Sequence, residues 1–470
     1  MLQFQSGSDN CNCTPEYLFY CRLVAGVMYA DVTSGLGKVP APVSHDEFRK
    51  RQADFCDSLG GKSIAIITNN PTSIRSRDTH YPYRFNSYLH YLTNWDEEKG
   101  VAVFYRRGNE WTCRLYVKPR DIAKEIWSGR VLGPEGALEG WPVDETDSRL
   151  NLETSMLELM DGADIVYHVT GLDEDVDKIV ADFNGDLSDP RVYLDDMRVI
   201  KSDSEIELMR YSGELAALTH IEAMRRCKPG MGEWHLQAII EGCFLYHQSE
   251  WAYTSIVGCG DNATILHYTD NKSIMNDGEL VLIDAGCEIS GYASDITRTF
   301  PVNGKFTEAQ RAIYELVLKA QLAGIAACQS GSPWSDMHHA TSRVLAQGLL
   351  DLGILTGTID DALGDDWNGP YRQFFMHGTG HFLGLDVHDV GGGRQGDGVP
   401  ERILEPGMVV TVEPGLYFGA WREDIDIDSK WKGIGVRIED DILITESGPI
   451  VLTEKCPKNI QEIESLIGTI

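Results

Sequence analysis

The stretch Leu280-Val281-Leu282-Ile283-Asp284-Ala285-Gly286-Cys287-Glu288-Ile289-Ser290-Gly291-Tyr292-Ala293-Ser294-Asp295-Ile296-Thr297-Arg298-Thr299-Phe300 holds the decisive pattern of this chain. It reads as two strands joined by a tight connection at Ile289-Ser290-Gly291. Asp284 and Asp295 are equally distant from the midpoint between residues 289 and 290. An antiparallel pairing without a bulge then sets them opposite one another on one face, about 5 Å apart at Cα. Two like charges so placed repel, and only a shared proton or a cation makes the arrangement favourable.

Two further acids end or follow apolar runs. Glu413 closes Met408-Val409-Val410-Thr411-Val412, and Glu439 follows Val436-Arg437-Ile438. Buried carboxylates need partners. Separate lysines or arginines would have to be found for each, whereas two divalent cations shared among four carboxylates and one imidazole neutralise the set together. The imidazole comes from Met376-His377-Gly378-Thr379-Gly380-His381-Phe382-Leu383-Gly384-Leu385-Asp386-Val387-His388-Asp389. Three histidines interleaved with glycines are hard to explain by packing, and glycine lets backbone approach an ion or substrate closely. The His377/His381 spacing suggests a zinc helix, but Gly378 and Gly380 argue against a helix and the glutamate base of HExxH is absent. At most one of these histidines need touch metal, and the others serve better as hydrogen-bond donors. Around Glu439, strand alternation puts Arg437, Glu439 and Asp441 on one face and Asp440 on the other. Arg437 then either meets a substrate carbonyl or carboxylate, or forms a salt bridge supporting Glu439.

At 470 residues the chain can hold two or three domains, and 42% apolar residues supply the cores. The formal charge of −31, from 41 basic and 72 acidic side chains, opposes nucleic acid and anionic membranes. A small or peptide substrate is expected instead. The eleven cysteines, without a CxxC pair, make no disulfide framework, and the lone Cys11/Cys13 pair reads as adventitious. No apolar stretch reaches the roughly 18 residues that span a bilayer, and Asp9 and Glu16 stand where a signal peptide would want positive charge. A reducing, cytoplasmic setting is the expectation.

Residues 1–43 have little periodic pattern and read as a poorly ordered leader. From residue 44 to 198 helical and strand periods alternate: a helix at 45–59, strands at 63–68, 101–105 and 112–117, and a helix at 150–161. This is a small α/β domain. At Ser202, with Glu205 three residues on, a capping box opens a helix running to Cys227, and Pro229-Gly230 stops it. A second domain, 199–470, follows with a helix at 232–249, strands within 253–302, helices at 307–329 and 334–352, and more strands within 374–453. The overall class is α/β (α+β).

These motifs resemble the pita-bread (creatinase/aminopeptidase P) metallopeptidase family. The order Asp284, Asp295, His381, Glu413, Glu439 is similar to its ligand order, and the similarity spans roughly residues 45–460. Ile265-Leu266-His267-Tyr268, the run from Gly384 to Gly391, Arg437 to Asp441, Asp78 with Tyr81-Pro82-Tyr83-Arg84, and Ile126-Trp127-Ser128-Gly129-Arg130 look like the bacterial Xaa-Pro aminopeptidase branch. The resemblance implies a creatinase-like N-terminal domain before a pita-bread catalytic domain. It implies that Asp284 binds one metal, His381 and Glu413 bind the other, and Asp295 and Glu439 bridge them. An oxygen-rich shell with one imidazole suits two Mn²⁺, with Co²⁺ or Zn²⁺ as options. A water between two cations loses a proton near neutral pH and attacks a peptide carbonyl. Glu413 would shuttle the proton to the leaving nitrogen, and His388 and His267 would hydrogen-bond the scissile region.

His377, Arg437, Tyr417 and Trp127 are the remaining substrate-binding candidates, Trp127 reaching the site from a neighbouring copy in a homo-oligomer, dimer or tetramer. The implied reaction is release of the N-terminal residue from peptides with proline second. A dipeptidase restricted to Xaa-Pro and a peptide-binding module without catalysis are the alternatives.

Overall fold

A computed structural model describes residues 32, 35–392 and 400–470. Most of the expected leader, with Cys11 and Cys13, lies outside the described residues. Residues 36–44, just ahead of the first described helix, have no helix or strand.

That helix, His45–Ser58, starts where the Ser44 hydroxyl accepts the Glu47 amide and buries Phe48 and Phe55. It packs beside a six-stranded mixed sheet in the order Glu145–Ser148, Glu110–Val117, Val101–Arg107, Ser63–Thr68, Ile165–His168, Asp186–Ser188. Ser63–Thr68 lies at its centre, antiparallel to Val101–Arg107 and parallel to Ile165–His168. Its six residues are all buried, as a strand covered on both faces requires. The expected strands at 101–105 and 112–117 are present, each extended by two residues at an end.

The helix Asp203–Arg226 opens on the expected capping box, the Ser202 hydroxyl accepting the Glu205 amide and the Glu205 carboxylate accepting the Ser202 amide. Glu233–Tyr246 follows, then antiparallel strands Ile256–Cys259, Leu280–Asp284 and Thr297–Pro301. The same order recurs after residue 307. Glu308–Ala327 and Ser335–Asp351 precede a second antiparallel sheet of Val409–Val412, Asp440–Leu443 and Ile450–Val451. One apolar cluster runs through both parts of the chain, from Val43 and Phe55 through Leu208, Leu280 and Phe375 to Ile463. Arg51 pairs with Glu205 across the junction at 3.3 Å.

The hairpin differs from its expected register by two residues. Asp284 stands opposite Thr297, not Asp295, and the inner rungs pair Glu288 with Ala293 and Ile289 with Tyr292. The connection is the two-residue turn Ser290-Gly291, with φ of 49° and 83°. Both residues must adopt the left-handed region for the turn's twist to match the strands. A midpoint one residue earlier would force that conformation on β-branched Ile289. Because a shift of two preserves the alternation of faces, Asp284 and Asp295 still share a face, as diagonal neighbours.

Among the described residues, 374–408 contain no strand, only single bridges from Phe382 to Val410 and from Ile403 to Pro333. The glycine- and histidine-rich run crosses the molecule as a loop.

Candidate active site

Each strand pair of the second part delivers two carboxylates, one at the end of a strand and one at the start of its neighbour. Asp284 ends Leu280–Asp284, and Asp295 lies two residues before Thr297–Pro301. Glu413 follows Val409–Val412, and Glu439 precedes Asp440–Leu443. The rung pairing Val412 with Asp440 puts Glu413 and Glu439 opposite one another on the next. The two pairs are knitted together. The Glu439 amide donates to the Thr297 carbonyl at 3.1 Å, and the Asp295 amide donates to the Asp441 carboxylate at 3.1 and 3.2 Å. Arg298 donates to the Glu439 carbonyl at 2.6 Å while its other nitrogen holds Asp440 at 2.7 Å. Asp440 therefore faces away from the site and Asp441 toward it, as alternation predicts.

His381 arrives on the loop. Its carbonyl accepts the Thr411 amide at 2.8 Å, and the Glu413 amide donates to the Thr379 carbonyl at 2.7 Å. A Cβ on Gly380 would lie 1.9 Å from the Thr411 carbonyl oxygen, so only glycine lets the loop run this close to the strand.

All four carboxylates, His381, His267, His377, His388 and Arg437 line one cavity of about 490 Å³. Asp295, His381 and Glu439 present ligand atoms within 4.8 Å of one another. His381 Nδ1 lies 2.9 Å from the Phe382 carbonyl, which takes the ring's proton and leaves Nε2, 3.4 Å from Asp295, facing the acids. A metal-binding imidazole is held in this way.

The electrostatics ask for cations. Burial, then the proximity of Asp284, pushes the Asp295 carboxyl up. Burial raises Glu413 to about 7 against the pull of His381 and Arg437. Glu439 is driven well above the usual range by burial and then by Asp295 and Glu413. Burial works to lower His381, but the hydrogen bond it donates to Asp295, with the charges of Asp295 and Glu413, holds it up at about 9 in the absence of cations. Tyr253 makes the same point, since its hydroxyl contacts both Asp284 and Asp295 with one proton to give. Divalent cations satisfy these groups together, and the donor set of carboxylate oxygens with one imidazole fits them.

Arg437 forms no direct salt bridge with Glu439 and reaches it only through the Thr297 hydroxyl, to which its Nε donates at 3.1 Å. Its guanidinium pairs with Asp284 at 2.6 Å, and Glu439 instead accepts the Thr297 hydroxyl at 2.6 Å. Strand Ile434–Arg437 ends beside Leu280–Asp284, so the acid within reach is the one closing that strand. Arg437 also donates to the Tyr417 hydroxyl at 3.0 Å, and Tyr417 lies 2.8 Å from His377 Nε2. His377 Nδ1 meets the Gly378 carbonyl at 2.8 Å. Burial, then Arg437, depresses His377 to about 3, so it is neutral and accepts the tyrosine proton. Tyr417 thus belongs to a relay behind the cavity wall.

His267 and His388 are exposed at the cavity, the His388 ring 4.3 Å from that of His381. Burial, then His381, lowers the His388 pKa. Trp127 does not line this cavity. It is 90% exposed on helix Ile122–Ser128, beside exposed Ile122 and Ile126. Tyr253, Thr297 and Asp441 are site residues that sequence reasoning missed. Asp441 was placed on the correct face, but nothing local marks Tyr253.

Residues 207–446 match the model of metallopeptidase family M24. The chain belongs to this family. All five proposed ligands of the M24 chain fall within the matched span, and residues 48–167 match the aminopeptidase P N-terminal domain. The Xaa-Pro aminopeptidase of Escherichia coli is 41% identical over 441 residues, covering 90% of this chain and 98% of its own. That of Haemophilus influenzae is 42% identical, covering 91% and 98%. Among solved structures, the Pseudomonas aeruginosa aminopeptidase PepP superposes with a TM-score of 0.86 at 39% identity, covering 90% of this chain and 98% of that one. A zinc-substituted E. coli aminopeptidase P in complex with product gives 0.85 at 41%, covering 91% and 98%. The M24 fold, an N-terminal α/β domain before a pita-bread domain, is therefore shared. No described helix is long and apolar enough to cross a membrane.

Proposed function

We propose that this M24 metallopeptidase is an Xaa-Pro aminopeptidase that releases the N-terminal residue of peptides with proline in second position. The observation that carries the reading is the convergence of four carboxylates and one imidazole on a single cavity. The names of relatives matched over nearly their whole length support it.

In this reading Asp284 would hold one cation, His381 and Glu413 would hold a second, and Asp295 and Glu439 would serve both. Mn²⁺ suits the oxygen-rich shell, and Co²⁺ or Zn²⁺ also fit. When bound, such ions polarise the scissile carbonyl and acidify a water. Glu413 would accept the water proton and return it to the leaving proline nitrogen. His388 and His267, at the cavity's open side, donate to the scissile region and stabilise negative charge there. Arg437, anchored by Asp284, orients Tyr417, and through it His377, on the wall facing the substrate. Proline's nitrogen is a tertiary amide without an N–H, so selection must come from the shape of its ring.

The exposed face of Ile122, Ile126 and Trp127 supports a homo-oligomer, dimer or tetramer, in which Trp127 approaches a neighbour's site. The eight cysteines among the described residues are free and buried, which supports a cytoplasmic setting.

Metal-supplemented hydrolysis of a tripeptide Xaa-Pro-Xaa beside a dipeptide Xaa-Pro tests the reading. Release of only the first residue from the tripeptide supports it. Cleavage of the dipeptide alone would make the protein a dipeptidase, and inactivity on both at full metal occupancy would make it a binding module.

A further inference from the structure

The loop that carries His388 is gripped from outside the catalytic sheets. Ser87, opening helix Ser87–Thr93 of the first part, donates to Asp386 Oδ1 at 2.6 Å. Arg198, on helix Arg191–Val199, reaches Asp386 at 2.7 Å and Asp389 at 2.6 Å. Lys201 meets the second oxygen of Asp389 at 3.0 Å. The side chains of Arg198, Asp389 and Lys201 are 2%, 1% and 1% exposed. Arg84 adds a bond to the Leu385 carbonyl at 2.7 Å. His388 sits between the two clamped aspartates.

We propose that Asp386 and Asp389, held by Ser87, Arg198 and Lys201, position His388 for catalysis, so that the first part of the chain helps set the geometry of the reaction. The inference rests on the reading of His388 as a group that touches substrate. Its physical basis is the contrast between an exposed histidine ring and the ion-paired carboxylates on either side of it, both tied to the buried Arg198. The backbone of the run is fixed on its near side, where the Leu383 amide donates to the Val409 carbonyl and the Gly384 carbonyl accepts the Ala293 amide; from Asp386 to Asp389 the side-chain bonds of the two aspartates are what fix it to the first part of the chain. Arg198 cannot release one aspartate without unbalancing the other, since a single guanidinium nitrogen holds both.

The test uses Asp386, whose side chain is 45% exposed and whose loss the fold should tolerate. In Asp386→Ala, kcat on an Xaa-Pro-Xaa peptide should fall by between about 10-fold and 100-fold, the scale of a small misplacement. KM, metal content and melting temperature should stay near those of the parent. Asp386→Asn, which retains a bond to Ser87, should fall between the two. In a His388→Ala background, Asp386→Ala should cost nothing further. If the two losses multiply, or if the single variant loses metal in proportion to rate, the proposal fails and Asp386 is merely structural. A fully active His388→Ala would remove the reading of His388 and the proposal with it.

Discussion

Arg437 and Asp284 form a buried ion pair at 2.6 Å, and among the described residues it is the only lysine or arginine ion pair made by any of the four site carboxylates. One guanidinium against four acids leaves the cavity short of positive charge.

Arg437→Gln should therefore leave metal binding intact, because it makes the cavity more negative. Activity should fall about 10²-fold as Asp284 and Tyr417 lose a charge-assisted anchor. Elemental analysis alongside kinetics checks this. A loss of rate that merely follows a loss of metal would contradict it.

Asp295→Asn should reduce kcat by about 10³-fold or more, beyond the 10- to 100-fold usual for an outer partner of a metal ligand. It removes one of several crowded like charges, so the melting temperature of the chelator-treated protein should hold or rise. Chelation of the parent should abolish activity, and added Mn²⁺ should restore it.

Asp440 lies behind the site, fully buried and held by Arg298 at 2.7 Å and Lys458 at 2.6 Å. Asp440→Ala leaves the Arg298 guanidinium uncompensated, and breaking a buried pair from one side costs about 3–5 kcal/mol. Urea unfolding should show a large drop in midpoint. A change within about 0.5 kcal/mol, typical of a surface substitution, would mean that Arg298 is satisfied by its carbonyl contacts alone.

His220 supplies a pH-dependent term. It is fully buried, Nε2 lies 2.9 Å from the Ala285 carbonyl, and Nδ1 has no hydrogen-bond partner among the described residues. Burial lowers its pKa from 6.5 to about 4. Between those values the unfolded chain binds a proton that the folded chain refuses, so stability rises with pH. The full contribution is present above about 6.5, and about 3 kcal/mol is lost on acidification to about 4. His220→Gln, which keeps a donor for Ala285, should flatten the chelator-treated protein's stability slope by about one proton. Identical slopes in parent and variant would refute the assignment.

What the sequence made legible follows from how local the signal is. Ser63–Thr68 and the capping box at Ser202 are read from neighbouring residues, and both stand where local reading puts them. Asp284 and Glu413 are conspicuous because each closes an apolar strand. The hairpin register was misplaced because it turns on which two residues accept a left-handed backbone, and Ile289 looked as available as Ser290 until its branching is weighed. Helices Ser87–Thr93, Ile122–Ser128 and Glu174–Ala181 are short, with too few turns for a helical period to stand out. Tyr253 belongs to the site through contacts 31 and 42 residues away in sequence, which no local pattern encodes. Arg437's ion pair with Asp284 was out of reach of the sequence for the same reason, because Glu439 is two residues off while Asp284 is met only across the sheet.

The apolar cluster shared by Val43, Phe55, Leu208 and Ile463 has a further consequence. A fragment beginning at the long helix would present the water with greasy ground normally covered by its N-terminal companion, and should clump when expressed alone. The intact molecule should melt as one cooperative unit in calorimetry, with a single endotherm for both halves.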